Sequence, residues 1–368
     1  MKQLAVNLTE FTPSEERGFQ PAEPIPSPLG ECWQTLIMNY MDESSLSLYA
    51  ALHSAAALID LGARTQLEIT GDDRIGFLNG FCTGDIKKLN PGEGCEAFIT
   101  NHQGKAAGHG LIFAHADRLL FDAAAGQAEK LIAHLDRFVI SEKVFFADRS
   151  REATDLLLAG PNAEAVLQAI NISLPAGRLQ HVVVNIAAAP ASLRRLDCLG
   201  ELPCFLISVP TADMATVSQA LTTAGAVQVD GEANEKAWQT ARIEAGYPLY
   251  GQDITEDNLP QEVARDAQAI NFNKGCYLGQ ETIARLDALG HVNRVLTGLK
   301  FLGGANLQPG ETILQGEKKI AQITSVTWSP KLQAPLALAY VRTLHATPGK
   351  RLAFAGGEAE VVKLPLSE

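Results

Sequence analysis

NKGCYLGQE, running from Asn273 to Glu281, sets a lysine, a cysteine, a tyrosine, two glycines and a Gln-Glu pair in nine residues. It follows shortly after RIEAGYPLYGQDITEDNLPQE, Arg242 to Glu262. Gly275 and Gly279 allow positive φ and the close approach of another group. Lys274, two residues before Cys276, is placed to favour the thiolate, the nucleophilic form of a cysteine. QETIARLDAL reads as a helix, and free amides at a helix start suit an anion. The blander reading of the same letters is a glycine-rich hinge with an inert cysteine, since free cysteines are commonly buried.

Upstream, the chain alternates strands and helices without the long crossovers of a doubly wound sheet, which points to an α+β region of antiparallel sheets with packed helices. SSLSLYAALHSAAALID, with serine cap candidates and many alanines, reads as a helix. LGARTQLEIT alternates as a strand, and GDDRIGFLNGFCT reads as a helix capped by Asp72. CEAFITN and AGHGLIFA form a hairpin about NHQGKA. RLLFDAAA, EKVFFADR, DLLLAG, QHVVVNIAA, SLRRLDCL, CFLISVP and AVQV read as further strands. GQAEKLIAHLDRFVI, PNAEAVLQAI, TADMATVSQALTTAG and EANEKAWQTARIEAG read as helices. After His291, short strands between Gly/Pro turns predict an all-β barrel. Residues 1–44, with prolines at 13, 21, 24, 26 and 28, read as an arm with a short helix over Glu31 to Met41. The expected division is therefore an arm over 1–44, an α+β region of two subdomains over 45–290, and a barrel over 291–368.

At 368 residues the chain is long for one core. A net charge of −12 argues against a general nucleic-acid-binding surface. The absence of long apolar runs and of a signal-peptide pattern predicts a cytoplasmic protein that contacts no membrane. Six cysteines without CxxC spacing predict free thiols and no metal site built from local ligands.

KGCYxGQE resembles the signature of the YgfZ-type folate-binding proteins, relatives of the aminomethyltransferase (T protein) of the glycine cleavage system. The resemblance covers roughly residues 45 to 365, and ITSVTWSPKLQAPLALAYVR looks like the core line of the relatives' barrel. It implies an aminomethyltransferase-like fold and a cavity for tetrahydrofolate or a one-carbon derivative. It further implies support of iron–sulfur cluster assembly or repair in client proteins, tRNA-modifying radical enzymes among them. By resemblance Cys276, at the rim of that cavity, is the reactive group with Lys274 beside it, and Arg242, Glu262, Tyr277, Gln280, Glu281, Arg195 and Lys105 are folate contacts. Tyr250 and Gln261 are further pocket candidates. The relatives' hairpin carries an aspartate pair that serves folate chemistry; aligned on Asn101 and Gly104, this chain has Gly108 and His109 there. A positioned acid or base contributes roughly 10²–10⁴ in rate, and glycine cannot take that role. The chain is thus not expected to be a conventional transferase. A tetrahydrofolate-dependent aminomethyltransferase or demethylase, and a scaffold without a ligand, remain the alternatives.

Overall fold

The computed structural model describes residues 40–303 and 307–366. The arm and its expected helix over Glu31 to Met41 thus lie almost wholly outside the described residues. Helix α1 (Glu43–Ser54) is started by a reciprocal box in which the Asp42 carboxylate accepts Ser45 N–H at 2.9 Å and Ser45 Oγ accepts Asp42 N–H at 2.8 Å. The sequence reading carries this helix on through ALID. The helix instead stops at Ser54, and Ala57–Gly62 is strand β1. Leu58 and Ile59 pack into cores on opposite faces of a sheet, which a strand's two-residue alternation permits and which outweighs the helix preference of the preceding alanines.

A six-stranded sheet has the order β11 (Val227–Gln228), β1, β7 (Ala153–Ala159), β10 (Cys204–Pro210), β9 (Ala189–Leu196), β8 (His181–Ile186). It is antiparallel except where β11 runs parallel to β1. A five-stranded antiparallel sheet has the order β3 (Gly94–Thr100), β4 (Ala106–Ala114), β5 (Leu119–Ala123), β2 (Thr65–Thr70), β6 (Phe145–Asp148). Helices α4 (Ala163–Ala169) and α5 (Met214–Thr223) cover one face of the first sheet, and α2 (Arg74–Asn79) and α3 (Ala128–Asp136) one face of the second. The remaining faces share a core with α1 and α6 (Gly231–Ala245). Within it the Gln66 side-chain amide donates to Asp155 and Ser208, while Arg64 and Arg194 hold Asp122. Asp72, expected to cap α2, is exposed and ion-pairs Lys143; Asp73 occupies the cap position, and its carboxylate accepts Lys143 N–H instead.

The C-terminal unit is all antiparallel, in the order β13 (Thr312–Gln315), β14 (Lys318–Ser329), β15 (Ala334–Arg342), β12 (Arg294–Leu302), β17 (Gly357–Val362), β16 (Arg351–Phe354). The two end strands meet, so the sheet is a nearly closed barrel around Leu299, Phe301, Ile323 and Val341. Two-residue alternation along β14 presents Ser325, Thr327 and Ser329 to α6. There they bond Arg242 (2.9 Å), Thr240 (2.7 Å) and Glu244 (2.5 Å). The barrel is stitched to the α+β region through this row of hydroxyls.

Candidate functional site

The NKGCYLGQE loop is clamped from several sides. Leu278 N–H donates to Gly80 O (2.9 Å) and Leu278 O accepts Thr100 Oγ1 (2.7 Å). Gly279 (φ +80°) lies so close to the β3–β4 turn that a Cβ would stand 2.3 Å from Asn101 O and 2.7 Å from Gly104 Cα. Only glycine fits, for both space and φ. The loop then enters α8 (Gln280–Leu289), with Gln280 half-buried and Glu281 exposed in its first turn.

Lys274 is buried. Its ammonium donates to Asn79 O (2.7 Å), Cys82 O (2.8 Å) and Gly84 O (2.6 Å). It also lies 4.0 Å from Cys82 Sγ and 5.1 Å from the centre of the Tyr277 ring. Burial lowers its pKa, and burial likewise pushes the Tyr277 hydroxyl up to about 12. Its three donors are thus engaged on the α2 side of the loop, next to Cys82, while Cys276 faces solvent. The ammonium ties the loop to the segment after α2 through main-chain acceptors.

The other residues singled out in the sequence fall in three places. Arg242, wholly buried, pairs with Asp253 at 2.8 Å and donates to Gln239, Tyr247 O and Ser325. Glu262 accepts both ends of the Arg294 guanidinium at 3.0 Å, joining the loop before α7 (Asp266–Ala269) to β12. Arg195 points to the helix side of its sheet, where it pairs with Glu164 at 2.7 Å. Its neighbour Arg194 faces inward to Asp122, so strand alternation decides which arginine of the pair reaches the space between the sheets. Lys105 lies at the surface near Asp257, 3.4 Å away. Tyr250 donates to Ala107 O and the Gln261 amide to Ile283 O.

A cavity of about 510 Å³ opens between the two parts of the molecule. Asp197, Cys198, Gly200 and Glu201 form one wall, Arg265 and Gln268 a second, and Val295, Leu296 and Leu338 of the barrel a third. Lys363, Leu364 and Pro365 close it, and beyond Gly200, Glu201 and Lys363 lies a second cavity of about 360 Å³. None of the nine residues assigned by sequence to reactivity or folate binding lines either space, although Glu262 and Arg242 adjoin residues that do.

Behind this cavity sits a buried charge cluster that the sequence reading missed. Glu96 Oε2 accepts Arg265 (2.6 Å) and Arg178 (3.3 Å), and Oε1 accepts Arg265 and lies 2.8 Å from His109 Nε2. Arg178 continues to Asp197 at 2.5 Å, and Arg265 lies over the Tyr247 ring. Burial pushes the Glu96 carboxyl up, but the hydrogen bonds and charge of Arg265, then His109, hold it well below the usual carboxylate range. An acid within the apolar strand GCEAFIT was the available signal. His109 therefore reaches Glu96, while a Cβ on Gly108 would point at Leu131 Cδ2, 2.7 Å away, on the helix side of the sheet. No group of three or more His, Cys, Asp or Glu suited to a metal occurs among the described residues, and no helix among them is long and apolar enough to cross a membrane.

This architecture has known counterparts. Residues 29–274 match the GCVT N-terminal domain, and residues 294–367 the glycine cleavage T-protein C-terminal barrel domain. An aminomethyltransferase of Caldanaerobacter subterraneus subsp. tengcongensis is 27% identical over 314 residues, spanning 84% of this chain and 83% of its own. One from Thermus thermophilus is 29% identical over 296 residues, spanning 80% and 81%. The crystal structure of aminomethyltransferase T of the glycine cleavage system from Bartonella henselae superposes with a TM-score of 0.71 at 21% identity, covering 87% of this chain and 89% of that one. The fold is thus the aminomethyltransferase fold with its C-terminal barrel. Aminomethyltransferases of this kind use tetrahydrofolate as substrate or cofactor. With both domains matched in order along most of its length, the chain belongs to the glycine cleavage T-protein family.

Proposed function

We propose that the chain binds tetrahydrofolate or a one-carbon derivative and supports assembly or repair of iron–sulfur clusters in client enzymes, tRNA-modifying radical enzymes among them. Cys276 is its reactive group. The observation that carries this reading over aminomethyl transfer is the hairpin of β3 and β4. Where the resemblance expects an aspartate pair, Gly108 faces Leu131 and His109 is held on Glu96. That leaves no free carboxylate at this place for the transfer chemistry.

The cavity residues suit a folate. Asp197 and Glu201 supply acceptors for the N–H groups of a pterin, and Val295, Leu296, Leu338 and Leu364 supply an apolar wall for the aminobenzoyl ring. Lys363 supplies positive charge for the glutamate carboxylates, since the Arg265 charge is already met by Glu96. A volume of about 510 Å³ is in the range of small-molecule sites. Bound folate would supply a one-carbon carrier. The chain's own part is to orient it between the α+β region and the barrel and to keep that space shielded. Cys276 is exposed and lies outside the cavity walls, which supports a reaction with a partner protein over one with the folate ring.

Two measurements test the reading. Calorimetry should show 5-formyl-tetrahydrofolate binding that is weakened about tenfold or more by Lys363→Glu, a reversal of charge beside an anion. In cells lacking the chain, activity of an iron–sulfur tRNA-modifying enzyme should return with the wild type and not with Cys276→Ser. Transfer of a labelled aminomethyl carbon to tetrahydrofolate at the rate of the bacterial relatives would instead make the chain an aminomethyltransferase.

A further inference from the structure

Cys198 and Cys204 flank the turn between β9 and β10, and their sulfurs are 3.3 Å apart. Cys204 is fixed: it pairs in register with Leu196 and Ala159, and its side chain is fully buried. Cys198 lies beyond the end of β9, on the wall of the larger cavity. The turn between them forms part of the partition between the two cavities, since Gly200 and Glu201 line both. We propose that Cys198 and Cys204 are a peroxide-sensitive dithiol whose oxidation to a disulfide tightens the cavity wall. In part this rests on reading the cavity as the ligand site.

Hydrogen peroxide is small enough to enter where Cys198 lines the cavity. The Cys198 sulfur attacks one peroxide oxygen, the O–O bond breaks, and hydroxide leaves as water once protonated, giving a sulfenic acid. The Cys204 sulfur then attacks the Cys198 sulfur; the S–S bond forms, the S–O bond breaks and a second water leaves. The two thiols lose two electrons and peroxide gains them. Closing the pair brings the sulfurs from 3.3 Å to about 2.0 Å. Because Cys204 is held in a central strand, the Cys198 side moves, and residues 199–203 are drawn into a short closed loop. Such small loops make strained, readily reduced disulfides, as a reversible response requires. The hydrogen bond with Cys198, and then burial, push the Cys204 thiol well up, so it stays protonated and is not the thiol that meets peroxide first; the proton it gives up on attacking the Cys198 sulfur leaves with the hydroxyl group as water.

The test treats the full-length protein with hydrogen peroxide, blocks free thiols after unfolding, and maps peptides without reduction. The expected result is a Cys198–Cys204 cross-link that dithiothreitol reverses, with amide exchange over 199–203 slowed by about fivefold or more. In Cys204→Ala, dimedone should trap a sulfenic acid on Cys198; in Cys198→Ser, Cys204 should stay reduced. Recovery of both cysteines alkylated at a peroxide dose that oxidises Cys276, or a cross-link with unchanged exchange over 199–203, overturns the proposal. Neither readout involves folate. A reduced protein that fails to bind 5-formyl-tetrahydrofolate therefore counts against the functional reading and not against the dithiol.

Discussion

Replacing Lys274 by methionine removes one ammonium from the motif and keeps its apolar stem. In the folded protein that ammonium donates to three main-chain carbonyls at 2.6–2.8 Å. Hydrogen bonds to a charged group are worth about 1.5–3 kcal/mol each. Against their loss stands the desolvation of a buried ammonium, which costs several kcal/mol and is relieved in the variant. Three carbonyls are then left without this donor, so the balance is a loss of about 2–4 kcal/mol. Urea denaturation at neutral pH should show it as a lower midpoint with an unchanged slope. Cys82, fully buried beside the lysine, should become reactive toward Ellman's reagent well before global unfolding. Cys276 is exposed already, and its reaction rate should stay within about twofold. Stability changed by less than about 0.5 kcal/mol, with Cys276 slowed about tenfold, would refute this. Lys274 would then be the counter-ion of the thiolate, as its spacing in the sequence suggests.

Gly279→Ala should cost at least about 2 kcal/mol, because it adds left-handed strain to a Cβ 2.3 Å from Asn101 O; thermal melts would measure it. Arg242→Met strands the wholly buried Asp253 and should cost about 3–5 kcal/mol, with Asp253→Leu in the same chain recovering part of the loss. Asp266 is raised to about 6 by burial and by Asp287. Because its folded value lies above its unfolded one, its contribution is full below about pH 4 and is lost as pH rises through about 6. Asp266→Asn should therefore stabilise the protein at pH 7.5 by about 1 kcal/mol, once screening of this half-buried group is counted, and leave it unchanged or weaker at pH 4. A gain of equal size at both pH values would remove titration as the cause. Cys276→Ser should leave the melting temperature within about 1 °C, since a solvent-facing side chain contributes little packing; a loss of several degrees would mark the thiol as part of the core.

Sequence alone determined most of the element types, the all-β character of the last third and the kinship carried by KGCYLGQE. These signals are local: alternation within a strand, turn residues at fixed offsets, and a dense run of special residues. It also marked both glycines of the motif for positive φ and close approach, which holds for Gly279 and not for Gly275, where the space is open and φ is not positive. Partners were another matter. Lys274 and Cys276 are two positions apart, yet one is buried under three carbonyls and the other faces water. Arg194 and Arg195 are adjacent, and the pleat sends them to opposite sides of one sheet. Residues 57–60 looked like the end of a helix because the strands that pair with β1, Val227–Gln228 and Ala153–Ala159, lie far along the chain. Glu96, Arg265 and Arg178 form one cluster from segments up to 169 residues apart, and the cavity before it draws its walls from the β9–β10 turn, the loop at Arg265 and the barrel. Such a site has no spacing to read. Burial turns distant charges into obligatory partners, and only the tertiary structure decides which of them meet.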